Sequence, residues 1–111
     1  MLKVTKMAEA MVDGVAAVLP GVQRRDRSLA DQLRRAAQSV VFNLVEGERM
    51  SGGNERIHFE RAAGSNAEMR AAVRMAARWG YVDGGAAARI EGVADQVAAI
   101  LWVMVRRRPA A

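Results

Sequence analysis

Apolar positions recur along this chain at helical spacing, and the interruptions are few. Val4, Met7/Ala8, Met11, Val15 and Val18 follow one another at three- and four-residue steps, the period of one buried helix face. Pro20-Gly21 is the expected first break, because proline lacks the backbone donor and clashes with the preceding turn. "GVQRRDR" then reads as a short basic loop, and Ser28, with Asp31 three residues on, as the N-cap of a second helix. Leu29, Leu33, Ala36/Ala37, Val40 and Leu44 carry the stripe on to "MSGGN". Asn54 is the expected cap of a third helix, whose stripe is Phe59, Ala62, Met69, Val73 and Ala76, with Trp79 near its end. Gly80 sits where a left-handed residue commonly closes a helix. Asp83 can cap a fourth, with Ile90, Val93, Val97, Ile100 and Met104 as a heptad-like seam. Arg106 to Arg108 complement its C-terminal dipole, and Pro109 stops it.

These signals place helices at about residues 2–19, 28–49, 54–79 and 84–107. No segment reads as a strand. The expected fold is all-α: one domain over residues 1–111, an antiparallel up-down-up-down four-helix bundle with short connections. Helices this long in so short a chain predict a narrow rod.

Apolar positions exceed what one stripe per helix needs. Helix two adds Val41, Phe42 and Val45; helix four adds Ala94, Leu101, Trp102 and Val105. A helix apolar beyond one stripe is deeply buried or shared with a partner. A thin bundle cannot hide the surplus, so a homo-oligomer is expected, with Phe42 and Trp102 as interface anchors.

Charge changes the picture further. Lys and Arg number 17 against 12 Asp and Glu, a net charge of +5 with pI near 11.0. Lys3 and Lys6 are the only lysines. Such a balance favours anionic partners, and arginine suits planar contacts with phosphate. Arg70, Arg74 and Arg78 stack at four-residue steps on one face of helix three, where no acid on that face offsets them. Arg24, Arg25, Arg27, Arg34 and Arg35 cluster around the first loop and the following helix. Both sets are candidate nucleic-acid contacts; the alternative is a solvated face. No aromatic interleaves the second cluster, which argues against a platform for stacking single strands and for backbone or shape recognition.

Other chemistry finds little support. There is no cysteine, which fits a reducing cytosol. No N-terminal apolar run suggests a signal peptide or membrane span, so a cytoplasmic protein without membrane association is expected. "ERIH", Glu55 to His58, matches the Glu-x-x-His spacing of di-iron bundles. A single histidine leaves that site incomplete without a second copy, so no metal and no cofactor are expected. Ser39, Ser51 and Ser65 have no adjacent histidine in helical register, and no glycine loop could cradle phosphate; no enzyme activity is expected.

"QLRRAAQSVVFNLVEGE" and "HFERAAGSNAEMRAAVRMAARWGY" resemble the four-helix bundle family encoded by intervening sequences of bacterial 23S ribosomal RNA genes. The matching positions are Gln32, Arg34, Arg35, Ala36, Ser39, Asn43, Glu46 and Gly47, then Phe59, Ala63, Gly64, Ser65, Glu68, Gly80 and Tyr81. The match departs at Val41-Phe42, where the family often has Pro or Ser, and at the glycine-rich "RMSGGN". Gln32, Ala36, Ser39, Asn43 and Glu46 line one stripe of helix two, and Arg61, Ser65, Glu68 and Ala72 a similar stripe of helix three. Asn43, Glu46, Ser65 and Glu68 are therefore read mainly as a structural hydrogen-bonded network, which fixes register when every member is satisfied. The resemblance also implies a cyclic homo-oligomer, five-fold in the family, and a kinship with the accessory protein of diversity-generating retroelements, which binds a reverse transcriptase and nucleic acid. The expected function is therefore non-enzymatic binding of nucleic acid, structured RNA first, through arginine-rich surfaces. The alternative is a protein-interaction scaffold or accessory subunit, for example of a reverse transcriptase, that does not touch nucleic acid.

Overall fold

The computed structural model of the chain describes residues 1–51 and 53–107. Four helices account for nearly all of them: α1 (Lys3–Arg25), α2 (Arg27–Arg49), α3 (Gly53–Arg78) and α4 (Gly84–Arg106). No strand occurs among the described residues. Each helix packs on two others, α1 on α2 and α4, α3 on α2 and α4, which leaves α2 and α4 at opposite corners of a four-helix bundle. The body measures 50 × 21 × 19 Å, the narrow rod that the helix lengths imply.

The apolar stripes form the core. Val4, Met11, Val15, Leu33, Val40, Leu44, Met69, Val73, Val97 and Leu101 are at most 2% exposed. Burying each such side chain contributes about 1.5–3 kcal/mol. Between them lie Ala8, Ala37, Ala62, Ala76 and Ala94, also buried, and these small residues let the helix axes draw close enough for the slim cross-section. Gly47 does the same at one point: a Cβ there would lie 2.4 Å from the Phe59 ring.

Local signals at the helix ends hold in part. Asp83 Oδ2 accepts from Ala86 N at 3.1 Å and caps α4 as expected. Gly80 has φ +77°. Around it Tyr81 N donates to Ala76 O at 2.8 Å and Gly80 N to Ala77 O at 3.0 Å, the paired bonds of a Schellman closure.

Three expectations are corrected. Pro20-Gly21 does not break α1, which continues through both residues to Arg25. Pro20 lies on the exposed side of the helix, while Val22 extends the buried stripe at 0% exposure. Burial of that last turn outweighs the missing backbone bond, so "GVQRRDR" is mostly helix and the break is Asp26 alone. Ser28 does not cap α2; Asp26 does, with Oδ1 accepting from Leu29 N at 2.9 Å. Asn54 lies inside the first turn of α3, which begins at Gly53. Arg108 and Pro109 lie outside the described residues.

Candidate functional site

The arginines divide into two sets by what surrounds them. On α3, Arg70 is held between two acids of α4: its Nε is 3.6 Å from Glu91 and its Nη2 3.6 Å from Asp95. Arg74 Nη1 reaches Glu91 at 3.2 Å. Arg70 and Arg74, which no acid of their own helix face offsets, are thus paired from the neighbouring helix, a pairing that helical spacing on α3 cannot disclose. Arg78, the last of the row, is exposed and makes no ion pair among the described residues.

The second set surrounds the junction of α1 and α2. Arg34 and Arg35 share Asp31, at 3.0 and 3.1 Å. Arg24, Arg25 and Arg27 are exposed and make no ion pair among the described residues. This junction meets the turn between α3 and α4: a Cβ on Gly21 would sit 3.4 Å from Tyr81 O and 3.8 Å from Arg24 Nη2. The Arg25 guanidinium lies 6.0 Å from the Tyr81 ring centroid. Arg78, at the end of α3, therefore belongs to the same end of the rod as Arg24, Arg25 and Arg27. So do Tyr81 and Trp79, the latter 66% exposed. The cluster that lacks aromatics in the sequence acquires Tyr81 in space and shares its end of the rod with Trp79.

Between α2 and α3 runs a polar chain. Ser39 Oγ and Ser65 Oγ are 2.7 Å apart. Asn43 Nδ2 donates to Ser39 O at 2.9 Å and to Ser39 Oγ at 3.1 Å. Its Oδ1 is then the acceptor for His58 Nδ1–H at 3.2 Å. Asn43 and Ser65 occupy the expected network; Glu46 and Glu68 do not. Glu46 turns outward to Arg49 at 3.4 Å, and Glu68 is exposed on the rim of a groove. His58 completes the chain instead, a role that its Glu-x-x-His spacing obscured. Among the described residues no three His, Asp or Glu side chains stand close enough to hold a metal ion.

The groove is about 520 Å³, lined by Gln32, Arg35, Ser39, Ser65, Glu68 and Met75 among others. It follows the same stripe that carries the two sequence blocks. A further polar residue escaped the sequence reading: Asn66, 1% exposed, donates from Nδ2 to Ala94 O at 2.9 Å and so ties α3 to α4.

The surplus apolar side chains are at the surface. Phe42 on α2 is 63% exposed and Trp102 on α4 is 59% exposed, with Val103 at 54%. Arg106 covers one face of Trp102, its guanidinium 3.9 Å from the ring centroid. No helix among the described residues is long and apolar enough to cross a membrane.

A family model described as 23S rRNA-intervening sequence protein matches residues 1–102. No curated protein matches. Among solved structures, a protein of unknown function from the S23 ribosomal protein family of Bacteroides thetaiotaomicron aligns with a TM-score of 0.85 at 12% identity, over 94% of this chain and 99% of that one. At such low identity the likeness concerns the fold.

Proposed function

Because this chain belongs to the 23S rRNA-intervening sequence protein family, we propose that it is a non-enzymatic, homo-oligomeric helical bundle of the cytoplasm that binds structured RNA through arginine. The observation that carries this reading is the group Arg24, Arg25, Arg27 and Arg78, exposed at one end of the rod without ion pairs among the described residues. A chain of net charge +5 concentrates unneutralised guanidinium groups there, and phosphate oxygens are their natural counter-charge.

Cross-helix pairs support the antiparallel up-down-up-down arrangement. Along α2 and α3, Ser39 meets Ser65 while Asn43 meets His58. Along α3 and α4, Arg70 meets Asp95 while Arg74 meets Glu91. In both, one residue number rises as the other falls. A ring of copies is supported by the placement of Phe42 and Trp102 on helices at opposite corners. Two unlike patches on one protomer suit a head-to-tail contact, which closes into a cyclic oligomer; five copies is the family-like number.

The test is fluorescence anisotropy of a labelled RNA hairpin at two ionic strengths, with wild type and the Arg24→Gln/Arg25→Gln/Arg78→Gln variant. Wild-type affinity is expected to fall steeply with salt, because neutralised phosphates release counterions, and the variant to show a shallower slope. Absent binding, salt-insensitive binding, or identical slopes would refute it.

The exposed Phe42 and Trp102 favour a second reading, a protein-interaction scaffold or accessory subunit without direct RNA contact. Recovery with a protein partner at fixed stoichiometry, with the absorbance ratio of nucleic-acid-free protein, would select it.

A further inference from the structure

We propose that the end of the rod formed by the α1–α2 junction and the α3–α4 turn is a stacking site for unpaired RNA bases, with Trp79 and Tyr81 as the aromatic faces. The inference rests on the RNA-binding reading above and adds the kind of nucleotide recognised.

Trp79 is an indole that this chain leaves uncovered, 66% exposed, with Met75 one turn before it 44% exposed. Its backbone is held by the helix end, where Trp79 N donates to Met75 O at 3.0 Å. The Schellman bonds from Gly80 and Tyr81 to Ala77 and Ala76 fix the turn, and the left-handed Gly80 separates the two aromatic residues. Tyr81 is half-buried and is approached by the Arg25 guanidinium at 6.0 Å. Arg24 lies beside Gly21, against which the Tyr81 carbonyl packs. Arg78 precedes Trp79 directly, and Arg27 opens α2 at the same end. The two acids of these turns, Asp26 and Asp83, are turned to the helix N-termini, accepting from Leu29 N and Ala86 N, so they are drawn toward the positive ends of α2 and α4.

Aromatic planes among unpaired guanidinium groups are the composition of a single-strand site: each base offers a π face, and each phosphate between bases meets a cation. A duplex buries those faces in its own stack and exposes chiefly shape and backbone. The exposed Trp79 would gain nothing from it. Unpaired nucleotides of a loop or a strand end fit both features, with little sequence preference, because every base has a face to stack.

The experiment compares the full chain's affinity for an unstructured RNA of about 12 nucleotides with that for a blunt duplex of equal length, using wild type, Trp79→Ala and Trp79→Phe. The expected result is that Trp79→Ala weakens single-strand binding about tenfold, leaves duplex binding unchanged, and that Trp79→Phe retains most of the affinity. Single-strand binding unaffected by Trp79→Ala, with the salt dependence intact, overturns the stacking site and leaves the RNA reading standing. A fall in molar mass of Trp79→Ala by light scattering makes Trp79 a contact between copies and also overturns it. Wild type that binds neither RNA overturns both.

Discussion

Replacing Gly47 by alanine sets two opposed effects against each other at one atom. In an exposed helix the change is favourable by about 1 kcal/mol, since glycine carries the larger backbone entropy loss. At this position the new methyl would lie 2.4 Å from Phe59 Cε1, 2.8 Å from Cδ1 and 3.0 Å from Cζ. Ordinary carbon contacts are about 3.5–4.0 Å, so one whole edge of the ring must retreat. Phe59 is only 6% exposed and has packed side chains behind it. Forcing such a shift costs about 1–3 kcal/mol, and contact with three ring atoms puts Gly47→Ala at the upper end. The net expectation is a loss of about 1–2 kcal/mol, or roughly 4 °C in Tm per kcal/mol for a domain of this size. Gly92 on α4 is the control: a Cβ there meets nothing within 4 Å, so Gly92→Ala should gain up to about 1 kcal/mol. Urea and thermal unfolding followed by far-UV circular dichroism, at matched protein concentrations because assembly would shift apparent stability, measure both. Gly47→Ala in a Phe59→Leu background should cost less than in wild type. If Gly47→Ala is as stable as wild type, or if the Phe59→Leu background leaves its cost unchanged, the steric reasoning is wrong.

Pro20→Ala restores a backbone donor inside α1 on its exposed side and should raise stability by about 1–3 kcal/mol; an unchanged or lower urea midpoint would show that the proline is accommodated without cost. Arg70→Gln leaves Glu91 and Asp95 without their shared partner and should lower stability by about 1 kcal/mol while RNA affinity stays nearly constant, the reverse of the Arg24/Arg25/Arg78 variant; a large affinity loss in Arg70→Gln would reassign that row to RNA. Ser65→Ala cuts the chain from α3 to Ser39 and should cost about 1 kcal/mol by the same unfolding assay. Phe42→Ala and Trp102→Ala should each lower the molar mass seen by light scattering without loss of helicity, because both side chains are exposed on the protomer; an unchanged mass in both removes them from the interface.

The number, order and approximate lengths of the helices were legible in the residues themselves, because a helix's buried face repeats every three to four positions and each stripe is long enough to show its period. Gly80 and Asp83 announced their turns through chemistry that acts within a few residues: a left-handed backbone and a side-chain cap. The family blocks likewise lie along one stripe of α2 and one of α3, so Asn43 and Ser65 could be placed in one network from the residues alone, whereas Glu46 and Glu68, expected beside them, lie outside it. What failed were judgements that weigh a local preference against distant packing. Pro20 should end a helix on its own account, yet Val22 finds its burial in the core and the helix goes on. Arg70 and Arg74 look unopposed on their own helix, and only the approach of α4 brings Glu91 and Asp95 to them. Arg24 and Arg25 stand more than fifty residues from Trp79 and Tyr81 in the chain, and only the meeting of two helix turns brings the Arg25 guanidinium to the Tyr81 ring. Periodicity and capping are short-range properties that a sequence carries in full; which charge meets which, and what surrounds a surface indole, depend on how separate helices are docked.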